Sequence, residues 1–183
     1  MNGTADAQRR VPDKFAITIR AALVAMFALA TGAATAAEFT PSTPAPMKFA
    51  VRDREGGLHQ GEEFRARVTL VHFWATWCLP CREELPALKS LQDDMRGDRV
   101  RVVAISIDRL GWPAIDRTVE SLDVRDLNVF HDIDRQAAKV LAVDALPTTI
   151  IMDAEGREVA RLRGQGDWRE PALRRAVLSH VAQ

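Results

Sequence analysis

Residues 74–86 read WATWCLPCREELP, and this stretch decides how the rest of the chain is interpreted. It ends a continuous run of β-branched and aromatic residues at 67–74 (RVTLVHFW), which is typical of a central strand buried on both faces. Beyond the second cysteine, Leu85, Leu88 and Leu91 recur at the spacing of one helix face. The sequence therefore predicts a strand that leads directly into a helix, with a Cys-x-x-Cys pair at the junction.

Cys78 and Cys81 are placed for thiol–disulfide exchange. The start of a helix favours negative charge because its first N–H groups are unpaired, so Cys78 is expected to be the attacking thiolate. Cys81, one turn further on, is expected to resolve the mixed disulfide. A permanent structural disulfide would close too short a loop to constrain the unfolded chain much, and half of a zinc site would need further ligands. Both alternatives stay open at this point.

The rest of the chain alternates strand-like and helix-like segments. Strands are predicted at 47–51, 100–107, 128–130, 148–152 and 158–162, and helices at 112–122, 134–141 and 168–181. The helix at 134–141 is expected to begin with Asp134 as its N-cap. This order predicts an α/β fold with a central mixed β-sheet flanked by helices on both faces.

The N-terminal residues predict export. Basic residues up to Arg20 precede an uncharged apolar run, and Ala34-Thr35-Ala36 fits a signal-peptide cleavage site. Residues 1–37 are therefore expected to be a signal peptide, which we favour, or an N-terminal membrane anchor that tethers the protein. Residues 38–46 (EFTPSTPAP) are rich in proline and predict an extended linker, which leaves 47–183 as the folded domain. The expected location is the periplasm.

Composition excludes some other classes of protein. Lys+Arg and Asp+Glu both number 25, and the charges are spread along the chain, so no basic stripe supports nucleic-acid binding. Two cysteines are too few for a disulfide-stapled scaffold. The sequence predicts neither a cofactor nor a resident metal. A monomer is the expected state, because no long amphipathic extension is present.

These features together resemble the TlpA/ResA-like branch of the thioredoxin superfamily, whose members are thiol–disulfide oxidoreductases. The resemblance is carried by the WATWCxPCRxExP pattern at 74–86, and by LPTT at 146–149 followed by DAEG at 153–156. It implies a thioredoxin fold from about residue 47 to the C-terminus.

The resemblance also implies roles for residues other than the two cysteines. Pro147 would be a cis-proline that faces the Cys-x-x-Cys pair, with Leu146 and Thr148 beside it at an extended substrate segment. Glu84 would influence the titration of the thiols. Trp77, next to the first cysteine, would form part of the substrate surface.

His72 departs from this pattern, in which aspartate or asparagine stands six residues before the first cysteine. Two interpretations remain open. We favour a core histidine with a hydrogen-bonded ring, and the alternative is a general base for Cys81 near neutral pH.

The predicted function is that of an envelope thiol–disulfide oxidoreductase that reduces disulfides in exported proteins. In an oxidising compartment such a reductant needs electrons from a membrane thiol protein. One alternative is a metallochaperone that holds copper through the two sulfurs, although the only further donor after Pro147 is Met152, which is expected to lie in the core. Another is a thiol peroxidase, which would use a lone cysteine in a T-x-x-C setting, whereas Thr76 stands only two residues before Cys78.

Overall fold

The computed structural model describes residues 39–95 and 100–181. In these residues the strands are β1 (Thr40–Pro46), β2 (Ala50–Arg52), β3 (Leu58–Gln60), β4 (Val68–Trp74), β5 (Val100–Ser106), β6 (Asn128–His131), β7 (Thr148–Asp153) and β8 (Arg157–Arg163). The helices are a short 3-10 helix (Gly61–Phe64), α1 (Leu79–Asp94), α2 (Trp112–Ser121), α3 (Gln136–Val140) and α4 (Pro171–Val181). None of the helices in this described part has the length and apolar character needed to cross a membrane.

The strands form one mixed sheet in the order β1-β8-β7-β4-β5-β6-β2-β3. Strands β4, β5 and β6 run parallel, and the other pairs are antiparallel. Every residue of β4 is buried, because the strand lies in the middle of the sheet with both faces covered. The predicted α/β architecture, a mixed sheet flanked by helices, is confirmed.

The three parallel strands place their following loops on one side of the molecule. Parallel strands end at the same side of a sheet, so the loops that begin at residues 75, 107 and 132 are neighbours. The first of these loops leads into α1. The crossover from β4 through α1 to β5 therefore puts the start of α1 beside the loop that follows β5.

The proline-rich segment predicted as a linker is part of the sheet. Residues 40–46 form β1, which pairs antiparallel with β8 at the outside of the sheet. Proline is tolerated there because an outermost strand has a neighbour on one side only. Phe39 also packs edge-on against the buried Trp168, with ring centroids 6.0 Å apart. The linker prediction is therefore wrong for residues 39–46, while residues 1–38 lie outside the described part.

Two predicted helix starts also differ from the structure. The N-cap of α3 is Arg135 rather than Asp134, and the carboxylate of Asp132 accepts from the backbone N–H groups of Ala137 and Ala138 at 3.1 and 2.8 Å. The last helix begins at Pro171 rather than at residue 168, because proline fits the first turn, where its missing N–H is not needed.

Candidate active site

The Cys78–Cys81 pair lies where β4 ends and α1 begins. The chain turns there, with the Cys78 N–H donating to the Ala75 carbonyl oxygen at 3.1 Å. Cys78 is the N-cap of α1, and its sulfur accepts from the Cys81 N–H at 3.4 Å. The two sulfurs form a disulfide across Cα atoms 5.3 Å apart. The predicted position of the pair, at the start of a helix that follows a buried strand, is confirmed.

The two sulfurs differ in their access to the surface. Cys78 is 6% exposed, whereas Cys81 is completely buried. The side chains on either side of Cys78 are largely exposed, Trp77 at 67% and Leu79 at 61%. A second protein that approaches this surface would meet Cys78 before Cys81. The exposure of Trp77 is compatible with its predicted place in a substrate surface.

Pro147 lies directly before β7. The Leu146–Pro147 peptide bond is cis, as the resemblance implies. Strand β7 pairs antiparallel with β4, with Thr148 opposite Phe73. Pro147 therefore lies at the same end of the sheet as Trp74, the last residue before the turn that carries the cysteines. Contact of the cis-proline with the cysteine pair stays a prediction.

The residues that flank Pro147 have different surroundings. Leu146 is half-buried and packs against the core, so part of its side chain remains accessible. Thr148 is completely buried, and its hydroxyl donates to the Ala145 carbonyl oxygen at 2.8 Å. The Thr148 side chain is therefore enclosed and shapes the turn before β7. Contact of its backbone with a substrate remains a prediction.

Glu84 is the buried carboxyl group of the site. It lies on α1 one turn after Cys81 and is 2% exposed. Its Oε1 accepts a hydrogen bond from the Gly166 N–H, and a Cβ at Gly166 would lie 2.6 Å from Cδ2 of Leu162, so a larger residue there would require the Leu162 side chain to shift. Burial raises the pKa of Glu84 to about 7, and the hydrogen bond from Gly166 opposes part of this rise. A carboxyl group of this kind exchanges a proton near neutral pH, as its predicted influence on the thiols requires.

His72 is completely buried on β4. Its Nδ1 lies 2.9 Å from Oγ1 of Thr149, and burial lowers its pKa to about 3, so the ring is neutral at pH 7. The favoured interpretation, a core histidine with a hydrogen-bonded ring, is confirmed. A general base works best with a pKa near the working pH, so the burial of the ring favours the core interpretation over that of a general base for Cys81. Nδ1 also lies 3.7 Å from Oε2 of Glu84, a contact that the sequence did not predict.

Asp108 is a site residue that the sequence analysis missed. It follows β5, is completely buried, and accepts from the Thr76 N–H at 2.9 Å, from the Thr76 hydroxyl, and from the Leu110 N–H at 2.8 Å. Burial acts to raise its pKa, but the hydrogen bonds, led by that of the Thr76 hydroxyl, hold the pKa below its usual value. A carboxylate therefore fixes the turn two residues before Cys78. The available signal was an acidic residue directly after a buried parallel strand.

The described residues offer no additional donor set for a metal at the cysteine pair. Within 39–95 and 100–181, no group of three or more His, Cys, Asp or Glu side chains is arranged to hold a metal ion. Met152, the candidate third donor to copper, is buried on β7 opposite Thr69, five residues before Trp74 on β4. At about 3.3 Å per residue, this is roughly 16 Å from the end of the strand that leads to the cysteines.

The fold and the site define a thioredoxin-fold protein that carries a Cys-x-x-Cys disulfide at a helix N-terminus. The chain belongs to the AhpC/TSA family, which matches residues 41–160. Among curated relatives, the thiol-disulfide oxidoreductase ResA of Bacillus thuringiensis subsp. konkukian is 27% identical over 117 residues, covering 64% of this chain and 66% of the relative. ResA of Bacillus subtilis is 28% identical over 116 residues, covering 63% and 64%. The resemblance to the TlpA/ResA-like branch is thereby confirmed.

The chain matches slightly less than two thirds of the length of these curated relatives. A solved structure, the thioredoxin domain of thiol-disulfide oxidoreductase BVU-2223 from Bacteroides vulgatus, superposes with a TM-score of 0.63 at 22% identity. The superposition covers 75% of this chain and 98% of that domain. It confirms the thioredoxin fold.

Proposed function

We propose that the protein is a thiol–disulfide oxidoreductase that reduces disulfides in exported proteins. The observation that carries the proposal is the arrangement at the start of α1. Cys78 caps the helix near the surface, Cys81 is bonded to it from the buried side, and the cis Leu146–Pro147 bond precedes β7, the strand that pairs with the one leading to the cysteines. The activity named for the ResA relatives supports the same reaction.

The reaction proceeds by two exchanges. The Cys78 thiolate attacks one sulfur of the substrate disulfide, and the other substrate sulfur leaves as a thiolate and takes up a proton. Cys81 then loses its proton and attacks the Cys78 sulfur, which releases the second substrate sulfur as a thiol. The substrate disulfide gains two electrons and two protons, and the Cys78/Cys81 dithiol becomes a disulfide. A membrane thiol protein returns the electrons through the same exchanges in reverse.

Two cysteine variants test this order of events. Cys78→Ser is expected to abolish reduction of a disulfide-bonded protein such as insulin, because the accessible nucleophile is lost. Cys81→Ser is expected to accumulate mixed disulfides with envelope proteins, which non-reducing gels and mass spectrometry detect. Full activity of Cys78→Ser would end the mechanism. Faster turnover of hydrogen peroxide than of protein disulfides would favour a thiol peroxidase, and stoichiometric copper lost in Cys78→Ser would favour a metallochaperone.

The direction of electron flow is tested by the reduction potential of the Cys78–Cys81 pair against glutathione. A value near that of thioredoxin, about −270 mV, is expected for a reductant. A value near that of the oxidant DsbA, about −120 mV, would make the protein a donor of disulfides and would overturn the proposed direction.

The periplasmic location and the monomeric state belong to the same proposal. The basic start, the apolar run and the Ala34-Thr35-Ala36 site support export with a cleaved signal peptide, in preference to a retained anchor. Fractionation of cells and the mass of the purified chain test this. We expect an N-terminus at Ala37 or Glu38 in the periplasmic fraction and a monomer by light scattering, whereas an uncleaved cytosolic chain would contradict export.

A further inference from the structure

His72 is a buried titratable residue that the proposed reaction does not use. Burying a polar ring costs free energy unless its nitrogens find partners. Nδ1 of His72 has two neighbours, Oγ1 of Thr149 at 2.9 Å and Oε2 of Glu84 at 3.7 Å. By distance and angle, Nε2 of His72 and Oε2 of Glu84 have no hydrogen-bond partner among the residues that the structure describes, although the Trp168 side chain acts on Glu84 and lowers its pKa. An incompletely satisfied polar pair in the core calls for a role beyond packing.

His72 joins the two parts of the site that face each other. On one side, His72 pairs with Thr149 in the β4–β7 register, and Thr149 lies two residues after Pro147. On the other side it meets Glu84, which lies three residues after Cys81 and therefore on the same face of α1. The imidazole is thus the link between the strand behind the cis-proline and the helix that carries the buried cysteine.

A neutral imidazole suits both protonation states of Glu84. With its proton on Nδ1, the ring donates to the Thr149 hydroxyl, and the same N–H group is the polar group nearest to a Glu84 carboxylate, at 3.7 Å. With its proton on Nε2, the bare Nδ1 accepts from the Thr149 hydroxyl and presents a lone pair near a protonated Glu84 carboxyl. The Thr149 hydroxyl both donates and accepts, so it fits either tautomer. Because burial keeps the ring neutral, it does not compete with Glu84 for the proton.

Glu84 also borders a cleft that Cys78 does not line. The cleft has a volume of about 630 Å³ and lies between α1 and residues 165–169. The charged groups around this cleft are Glu83 on α1 and Asp167 and Arg169 on the opposite wall. Glu84 itself is 2% exposed, and the path that we propose for its proton to water runs through this cleft.

We propose that His72 is a positioning residue for the redox reaction, which through Thr149 and Glu84 holds the carboxyl group where it exchanges the Cys81 proton. The inference rests on the proposed function. When Cys81 becomes the attacking thiolate, its proton passes to the Glu84 carboxylate, and Glu84 then releases that proton to water in the cleft. When the disulfide is reduced again, the proton returns to Cys81 by the reverse path.

The test compares the wild-type protein with His72→Leu, which removes both nitrogens, and His72→Asn, which keeps a short donor and acceptor. The first measurement is the pH titration of the Glu84 carboxyl carbon, labelled with ¹³C and observed by NMR in the oxidised protein. The second is the pH profile of the rate at which Cys81 resolves a preformed mixed disulfide on Cys78.

In His72→Leu we expect the Glu84 midpoint to rise by at least about half a pH unit, a roughly threefold change in its dissociation constant, because an apolar side chain replaces the polar ring that lies 3.7 Å from the carboxylate. The pH profile of resolution should move by the same amount. His72→Asn should restore most of both shifts. Should His72→Leu fail to fold, Thr149→Val removes the hydroxyl that orients the ring and is expected to shift the Glu84 midpoint in the same direction.

An unchanged Glu84 midpoint in His72→Leu, or in Thr149→Val if only that variant folds, would overturn the proposal. A slower resolution step with an unmoved pH profile would show a structural role only and would overturn it as well. The titration needs no substrate, so its outcome is separate from that of the proposed function, which fails if Cys78→Ser remains active.

Discussion

Replacing Glu84 by glutamine should change how the stability of the protein depends on pH. The pKa of Glu84 rises from 4.5 to about 7 on folding, so the native protein binds its proton more tightly than the unfolded chain does. The stabilisation is complete below pH 4.5 and is lost as the pH rises through about 7. A shift of about 2.5 units corresponds to about 3 kcal/mol at 1.36 kcal/mol per unit. Glu84→Gln cannot ionise and should escape this loss.

The assay is urea unfolding of the oxidised protein at pH 5.0 and pH 8.5. With a slope of about 2 kcal/mol per M, the unfolding midpoint of Glu84→Gln relative to wild type should rise by roughly 1–1.5 M between the two pH values. Glu83→Gln is the matched control, because Glu83 is the exposed neighbour on the same helix and should keep the wild-type dependence. If Glu84→Gln and wild type differ by the same amount at both pH values, burial does not shift the titration of Glu84 and the reasoning is refuted.

Three further changes test other parts of the site. Asp108→Asn removes the negative charge that binds Thr76, two residues before Cys78, and should make the pair more oxidising by about 15–30 mV against glutathione, whereas the exposed Asp126→Asn should leave the potential unchanged. Gly166→Ala should lower the free energy of unfolding, measured by urea denaturation, by about 1–3 kcal/mol, because the added Cβ would press on Leu162 and Leu173. A variant as stable as wild type would contradict this. Wild type should lose stability as the pH falls from 6.5 towards 3, because the folded protein holds the His72 ring neutral while the unfolded chain takes up a proton. His72→Asn should make this loss smaller. An equally steep fall in the free energy of unfolding of His72→Asn over this pH range would count against the reasoning.

The centre of the fold could be predicted from the sequence because its signals are local. A strand covered on both faces needs a continuous apolar run, and residues 67–74 supply one. The cysteine spacing and the leucines after it define the start and one face of α1. Both signals are visible within a window of about 25 residues, so the strand-to-helix junction that carries Cys78 could be predicted from this segment alone.

The contacts around Glu84 could not be predicted because they depend on packing between distant segments. His72 meets Thr149 only through the register of β4 and β7, and Gly166 reaches Glu84 across 82 residues of sequence. No local pattern encodes these distances. The sequence indicated a buried histidine and an influential glutamate separately, and only the tertiary structure shows that they touch.

The error over residues 39–46 has a different physical origin. Three prolines without periodicity indicate an unpaired segment when the neighbours are unknown. In the folded protein, β8 offers a partner on one side, and an outermost strand needs no more.

The same prolines affect the outer edges of the sheet. Extended chains readily add to a free row of amide and carbonyl groups at a sheet edge. Strand β1 lacks an N–H donor at Pro41, Pro44 and Pro46, and the strand at the opposite edge of the sheet, β3, is three residues long. Neither edge therefore offers a long, regular row of hydrogen-bonding groups to which a second extended chain could add, and this lowers the tendency of the protein to aggregate through its sheet.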